Sequence, residues 1–246
     1  LAASAEAKFP AAEKINKHRC ASEAVQRAIG KPSGRLRRGE TLCMTTQYYA
    51  ETVQTKEKKL TMNGTMVDLL SGYLSGDNIS ESKRTLGDLK NVFQDEAARA
   101  QMNPATIVYE VQSHMAVKDG TPGGLFFGTS NVMPGQVGGE YFMTKGHYHA
   151  RRECGEYYWR IQGTGALILM DESGKCWFEP MQPGSLHYIP GYIAHRLANT
   201  GDTPLRVGAC WPSDAGHDYA SIAEHGFTAR LMNVGGVPTL VQEGQA

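Results

Sequence analysis

Four side chains in the second half of the chain have the types and spacing to hold a divalent transition metal. His147 and His149 lie two residues apart, so on a strand both imidazoles leave the same face. Glu156 follows, and His195 lies further on. Three imidazole nitrogens and one carboxylate oxygen make a borderline nitrogen/oxygen site, and an octahedral ion held by four protein ligands keeps positions for vicinal substrate oxygens. Glu153 is a rival for the carboxylate. Such an ion could stabilise an enediolate formed next to a carbonyl. Glu156 is a candidate base at the carbon that loses its proton, or a ligand only; a direct hydride shift needs no base there. His217 and Tyr219, again two apart, can share a face, and a histidine near neutrality could move protons between oxygens. Thr144-Lys145-Gly146, just before the histidine pair, offers a hydroxyl, backbone N–H groups and a cation to an anionic substrate.

These residues need a rigid frame, and the sequence predicts one made of strands. Ile107–Val111, Leu125–Gly128, Glu140–Thr144, Tyr157–Gln162, Ala166–Asp171, Lys175–Glu179, Ser185–Ile189, Arg196–Asn199 and Leu205–Trp211 read as short strands. Turn sequences such as Asp119-Gly120, Gly163-Thr164-Gly165 and Pro183-Gly184 separate them. Without long intervening helices, this pattern implies a sandwich or barrel rather than a parallel α/β sheet. Trp159, Trp177 and Trp211 are expected in its core, as is His187, which could alternatively support the site from behind. His18, His114 and His225 have no partners at ligand spacing, and Cys154 has no base to activate it.

Upstream the character differs. Leu86, Leu89, Val92 and Phe93 have helical spacing, predicting a helix over 84–93, with a second over 95–102 ended by Pro104. Residues 1–80 read as an N-terminal extension, helical over 11–29 and broken by Gly30-Lys31-Pro32-Ser33-Gly34; residues 81–246 form the main domain, with its core at about 107–230. Residues 1–60 carry 12 Lys and Arg against 6 Glu, and the remainder 13 against 19 acids. This is read as a solvated basic face, or as a contact with the acidic remainder across a dimer. A formal net charge of zero favours neither nucleic acid nor an anionic membrane as partner. Five scattered cysteines with no CxxC pair fit a reducing cytoplasm. No apolar run reaches the ~20 residues of a membrane helix. The start, Leu1-Ala-Ala-Ser-Ala, is not expected to be a signal peptide, although a start at Leu1 is compatible with processing.

The run Gly139-x7-His147-x-His149, with Glu156-x6-Gly163 and then Gly184-x5-Pro190 leading to His195-x3-Asn199, resembles the two motifs of the cupins. It departs from them twice: the carboxylate lies seven residues beyond His149, and Tyr192 stands where the pattern has glycine. The block Pro134-Gly135-Gln136-Val137-Gly138-Gly139-Glu140-Tyr141, followed by Thr144 to His149 and by Asp214-Ala215-Gly216-His217-Asp218-Tyr219, resembles the cupin-type glucose-6-phosphate isomerases over about residues 84–230. The resemblance implies a mainly β fold, a cupin double-stranded β-helix or jelly-roll barrel with N-terminal helical or extended additions. It implies metal ligation by His147, His149, Glu156 and His195, with one divalent ion per subunit, Fe2+ first and Mn2+, Ni2+ or Zn2+ compatible. It implies catalytic roles for Glu156, His217 and Tyr219, and phosphate binding by Ser130, Thr144, Gly146 and Tyr158; Lys145 joins these on its charge alone. It further implies a cytoplasmic homodimer acting on a phosphorylated hexose in glycolysis or gluconeogenesis. The competing readings are a mannose-6-phosphate isomerase, an oxygen-using cupin dioxygenase or oxidase with the same ligands, and a non-enzymatic sugar-binding cupin.

Overall fold

The structure, a computed structural model, describes residues 64–242. The helix expected over 11–29, the basic segment and His18 lie outside the described residues. The order begins with a small hairpin, β1 (Met66–Val67) and β2 (Leu74–Ser75), followed by β3 (Ile79–Thr85) and a one-turn-and-a-half helix, α1 (Glu96–Gln101). Then come β4 (Ile107–His114), β5 (Leu125–Val132), β6 (Gln136–Val137), β7 (Glu140–Tyr141), β8 (Glu156–Gln162) and β9 (Gly165–Met170). The chain continues with β10 (Cys176–Met181), β11 (Leu186–Ile189), β12 (Ala194–Asn199) and β13 (Leu205–Pro212). It ends with α2 (Ala220–His225), β14 (Ala229–Val234) and β15 (Val237–Gln242). No helix among the described residues is long and apolar enough to cross a membrane.

One layer is a six-stranded antiparallel sheet in the order β11-β8-β13-β5-β4-β3. The other holds two smaller sheets, β10-β9-β12 and β15-β14-β7-β6. Backbone bonds along 142–147 stitch these two together: Asn199 N donates to Phe142 O (2.9 Å), Thr144 N to Leu197 O (2.9 Å), and His195 N to His147 O (3.0 Å). The pairing of non-consecutive strands, β8 with β13 and β9 with β12, is the jelly-roll pattern that the sequence led us to expect. β9 (Gly-Ala-Leu-Ile-Leu-Met) is buried at every position, as a strand covered on both faces must be. Leu167, Ile168, Leu197, Val132 and Leu205 continue that core between the layers.

All nine expected strands are present, with Glu140–Thr144 reduced to the two residues of β7. Six others were not anticipated: the two-residue strands β1, β2 and β6, and the longer β3, β14 and β15. β3, Ile-Ser-Glu-Ser-Lys-Arg-Thr, is an exposed edge strand, and its polar sequence carries no apolar alternation. β14 and β15 form a hairpin closed by Gly235-Gly236, both with positive φ, a two-residue turn signal that is legible in the sequence. The helix expected over 95–102 is α1, capped where Asp95 accepts from Ala98 N at 2.8 Å. The helix expected over 84–93 is absent: Thr85 ends β3 and a series of turns follows. There Asp88 accepts from the Thr85 backbone and hydroxyl, and Asn91 has φ 62°, so local side-chain bonds outcompete the helix. Leu86, Leu89 and Phe93 are buried all the same, so the apolar spacing marked burial rather than helix.

The three tryptophans are half-buried rather than enclosed in the core. Trp159 covers Gly208, its register partner on β13, where a Cβ would fall 2.3 Å from the indole. Trp211 covers Gly128 in the same way. His187 is buried as expected, but its Nδ1 faces Glu179 (2.5 Å) and its Nε2 faces Ser185 Oγ (2.9 Å), with no contact to the candidate ligands.

Tyr192, at the position where the cupin pattern has glycine, adopts φ 66°, and its N–H donates to Arg152 O at 2.6 Å. The loop therefore keeps a left-handed residue whatever the side chain, at a cost of about 1–2 kcal/mol for a non-glycine residue. Glycine relieves that strain but costs about 0.5–1 kcal/mol of chain entropy. Tyr192→Gly is expected to match or slightly exceed the native melting temperature, whereas the β-branched Tyr192→Val should melt lower. Thermal melts giving the opposite order would contradict this account of the loop.

Candidate metal centre and active site

The strand register creates the site. His147 and His195 face each other across an antiparallel bridge, and Tyr148 bridges Asp218 in the same manner. Residues flanking the Tyr148–Asp218 bridge must leave by the opposite face, which sends His147, His149, His217 and Tyr219 the same way. Arg152 secures this arrangement from behind. It donates to His149 O (2.5 Å) and Asp218 Oδ2 (2.5 Å), and lies over the Tyr148 ring at 4.5 Å. Neither the sequence pattern nor the resemblance pointed to Arg152. On the facing sheet, Glu156 and Tyr158 of β8 point inward beside Ala209 of β13 and Gly128 of β5, whose small side chains leave the interior open.

Ligand atoms of His147, His149, Glu156 and His195 all lie within 4.8 Å of one another. Glu156 Oε1 is 2.5 Å from His195 Nε2 and 3.5 Å from His149 Nε2. Glu153 is exposed and pairs with Arg151, so the structure brings Glu156, not its rival, to the cluster. His149 Nδ1 lies 2.8 Å from Cys154 O and His195 Nδ1 lies 3.1 Å from Ile193 O. A carbonyl only accepts, so both Nδ1 atoms carry the hydrogen, and in the neutral rings both Nε2 lone pairs point at Glu156. Those two Nε2 atoms and Glu156 Oε1 are buried without a hydrogen-bond partner. Three converging acceptors with no donor among them are costly unless a cation fills the centre. The donor set therefore fits a divalent transition metal.

Electrostatics agree. Burial works to raise the Glu156 carboxyl, but the His195 and His149 imidazoles beside it outweigh that and hold it well below the usual carboxylate range. Burial drives His147 well below its ordinary value, keeping it neutral and able to ligate. The Cys154 thiol is pushed up by burial, which leaves it inert.

The cluster opens into a cavity of about 230 Å³ lined by Ser130, Thr144, Lys145, Gly146, Tyr158, His217 and Tyr219 among others, so every expected site residue outside the ligand set reaches one space. His217 lies 4.5 Å from His147 between ring centroids and stacks on Tyr219 at 5.7 Å with 9° between planes. It stands open to the cavity, and the desolvation it does experience lowers its basicity. Lys145 Nζ sits 5.7 Å from the Tyr219 ring centroid. Thr144 Oγ1 accepts from Leu197 N at 3.0 Å, which anchors the segment. Gly146 has φ 79°, and a Cβ there would meet Phe227 at 2.7 Å, so only glycine lets this backbone pass. Arg84 and Tyr109 also line the cavity. Burial pushes the Tyr109 hydroxyl up to about 12. Arg84 was visible only as the upstream edge of the resemblance, and Tyr109 as a strand residue.

Comparison with known proteins agrees with the geometry. A family model described as Glucose-6-phosphate isomerase (GPI) matches residues 83–243. The glucose-6-phosphate isomerase of Thermococcus onnurineus is 42% identical over 175 residues, covering 70% of this chain and 90% of that protein. That of Sinorhizobium medicae is 36% identical over 173 residues, covering 69% and 79%. Among solved structures, oxalate decarboxylase from Bacillus subtilis shares 21% identity over 44% of this chain and 26% of its own, with a TM-score of 0.34.

Removing one imidazole should empty the centre. His195→Ala is expected to lower affinity for divalent ions by more than the roughly 10–100-fold that loss of a supporting group costs, as read by metal analysis after dialysis. The native protein should also melt higher with metal than after chelation, and the variant should lose that difference. Metal content unchanged in the variant would contradict the ligand assignment.

Proposed function

The chain belongs to the glucose-6-phosphate isomerase family, and from that premise we propose that it interconverts glucose 6-phosphate and fructose 6-phosphate, using a divalent metal held by His147, His149, Glu156 and His195. The observation that carries this reading is the convergence of three unpartnered buried donor atoms at the floor of a cavity whose wall supplies hydroxyls and a lysine. Iron(II) is the ion expected first; manganese, nickel and zinc suit the same donors. When bound, the cation supplies Lewis-acid stabilisation of negative charge developing on O1 and O2 of the sugar.

The residues of the chain do the rest. The Ser130 and Thr144 hydroxyls, the Gly146 and Tyr158 groups and the Lys145 ammonium would receive the phosphate, fixing the sugar's far end and orienting C1 and C2 towards the cluster. Aldose-to-ketose conversion breaks the C2–H bond, forms a C1–H bond and carries the O2 proton to O1. His217, its basicity lowered by desolvation beside His147, is the residue proposed to carry the proton between the oxygens, with Tyr219 stacked on it to hold its orientation. Glu156 lies beside His195 and is held ionised by the imidazoles around it, which suits a ligand better than a base. This favours transfer of hydrogen directly from C2 to C1 with its electron pair. Abstraction by Glu156 is the second reading, because that carboxylate also lines the cavity.

We also read the protein as a homodimer. Leu125 (59% exposed), Leu186 (63%), Tyr188 (58%) and Tyr157 (47%) share the outer face of the six-stranded sheet, an apolar surface suited to a second copy. A cytoplasmic location suits the free Cys154, Cys176 and Cys210.

Fructose 6-phosphate is expected to be converted to glucose 6-phosphate, with activity lost on chelation and restored by single divalent ions; no turnover in a folded, metal-loaded protein would refute the assignment. His217→Ala should lower kcat by about 10²-fold or more while leaving metal content unchanged. Run in deuterated water, the reaction should place no deuterium on carbon; deuterium in the product by mass spectrometry would instead make Glu156 the base.

A further inference from the structure

A second cavity, of about 390 Å³, lies behind the segment that bears Lys145 and Gly146. Its charged lining is strongly one-sided: Lys90, Lys145, Arg196 and Arg230 against Glu224, which is exposed at the rim. Arg230 sits 3.5 Å from the buried Glu140, so its charge is largely compensated. Arg196 is 2% exposed; its guanidinium lies over the Phe227 ring at 4.2 Å and donates to Ala229 O at 3.3 Å. Cationic groups around a recessed, partly apolar space focus a positive potential into it.

This cavity is joined to the metal centre by covalent neighbours. On β12, His195 faces the metal cluster, and the next residue, Arg196, faces the second cavity. Phe227 and Arg196, which floor the second cavity, are the atoms that a Cβ on Gly146 would strike, at 2.7 and 3.1 Å. Lys145 lines both spaces. One ammonium cannot neutralise an anion in each at once.

We propose that the second cavity is an anion site for a phosphate group, free or borne by a small ester, and that its occupant competes for Lys145 with the ligand of the metal-bearing cavity. The phosphate class follows from two mobile ammonium groups placed beside a rigid guanidinium. The effect is antagonism: an anion behind the segment draws Lys145 away and weakens capture of substrate in front.

Equilibrium dialysis of the metal-loaded full chain with labelled inorganic phosphate tests this, alongside Lys90→Glu and Ala223→Glu. Both substitutions put a carboxylate at exposed positions lining the second cavity and outside the catalytic machinery. Two phosphates per chain are expected in the native protein. In each variant one should weaken by about tenfold or more, from the reversed or added charge, while the other is unchanged. A parallel series with glycerol 3-phosphate assigns the site to organic esters if it binds tighter there, and to free phosphate if it does not. Sulfate should raise KM without lowering kcat in the native enzyme, and a higher sulfate concentration should be needed for the same rise in Lys90→Glu, where only the front site remains sensitive. A native protein in which no bound phosphate weakens in either variant would overturn the proposal, whether one phosphate or two are counted. The dialysis count needs no turnover, so it stands or falls separately from the isomerase reading.

Discussion

A carboxylate ringed by imidazoles, deep between two β layers, is the arrangement on which the rest of the structure depends. Glu156 is 4% exposed, His149 5% and His195 1%, and a charge buried so deeply is tolerated only when fully partnered. The surrounding fold keeps those groups together without relaxation. The Cys154 and Ile193 carbonyls take the Nδ1 hydrogens, the His147–His195 bridge fixes two of the ligands by backbone pairing, and Arg152 ties the His149 carbonyl to the segment that carries His217. Each support holds a lone pair in place rather than quenching it. That is the signature of a site preorganised for a cation.

The same economy shapes the cavity. Gly128 and Ala209 on the inner face of the large sheet, with Gly146 opposite, supply space where other residues would fill the barrel. Trp211 covers Gly128 on that inner face, and on the outer face Trp159 covers Gly208. The interior can thus be open at its centre and closed around it. Lys145, His217 and Tyr219 line this opening together with the cluster.

Much of this was legible in the residue order. The period-two placement of His147 and His149, and of His217 and Tyr219, marked them as face-sharing pairs, and the strand pattern marked the barrel that carries them. What was not legible has physical reasons. β3 lies on an exposed edge and needs no apolar face, so Ile79–Thr85 has no alternation to read. The apolar spacing of Leu86, Leu89 and Phe93 is satisfied by turns as well as by a helix, because Asp88 and Asn91 offer the backbone local alternatives. Arg152 and Tyr109 reach the site from the far side of a loop and from a neighbouring strand, a proximity that only the register reveals.

The central claim is that the four-residue cluster holds the ion on which the sugar reacts. The most direct test is the absorption spectrum of the cobalt(II)-loaded protein, titrated with fructose 6-phosphate. The account predicts one cobalt per chain and a saturable change in its visible bands as the sugar enters the metal's surroundings, with no such change in His149→Ala. Bands that stay fixed through saturating, turning-over substrate would show that the ion is structural and that the chemistry happens elsewhere.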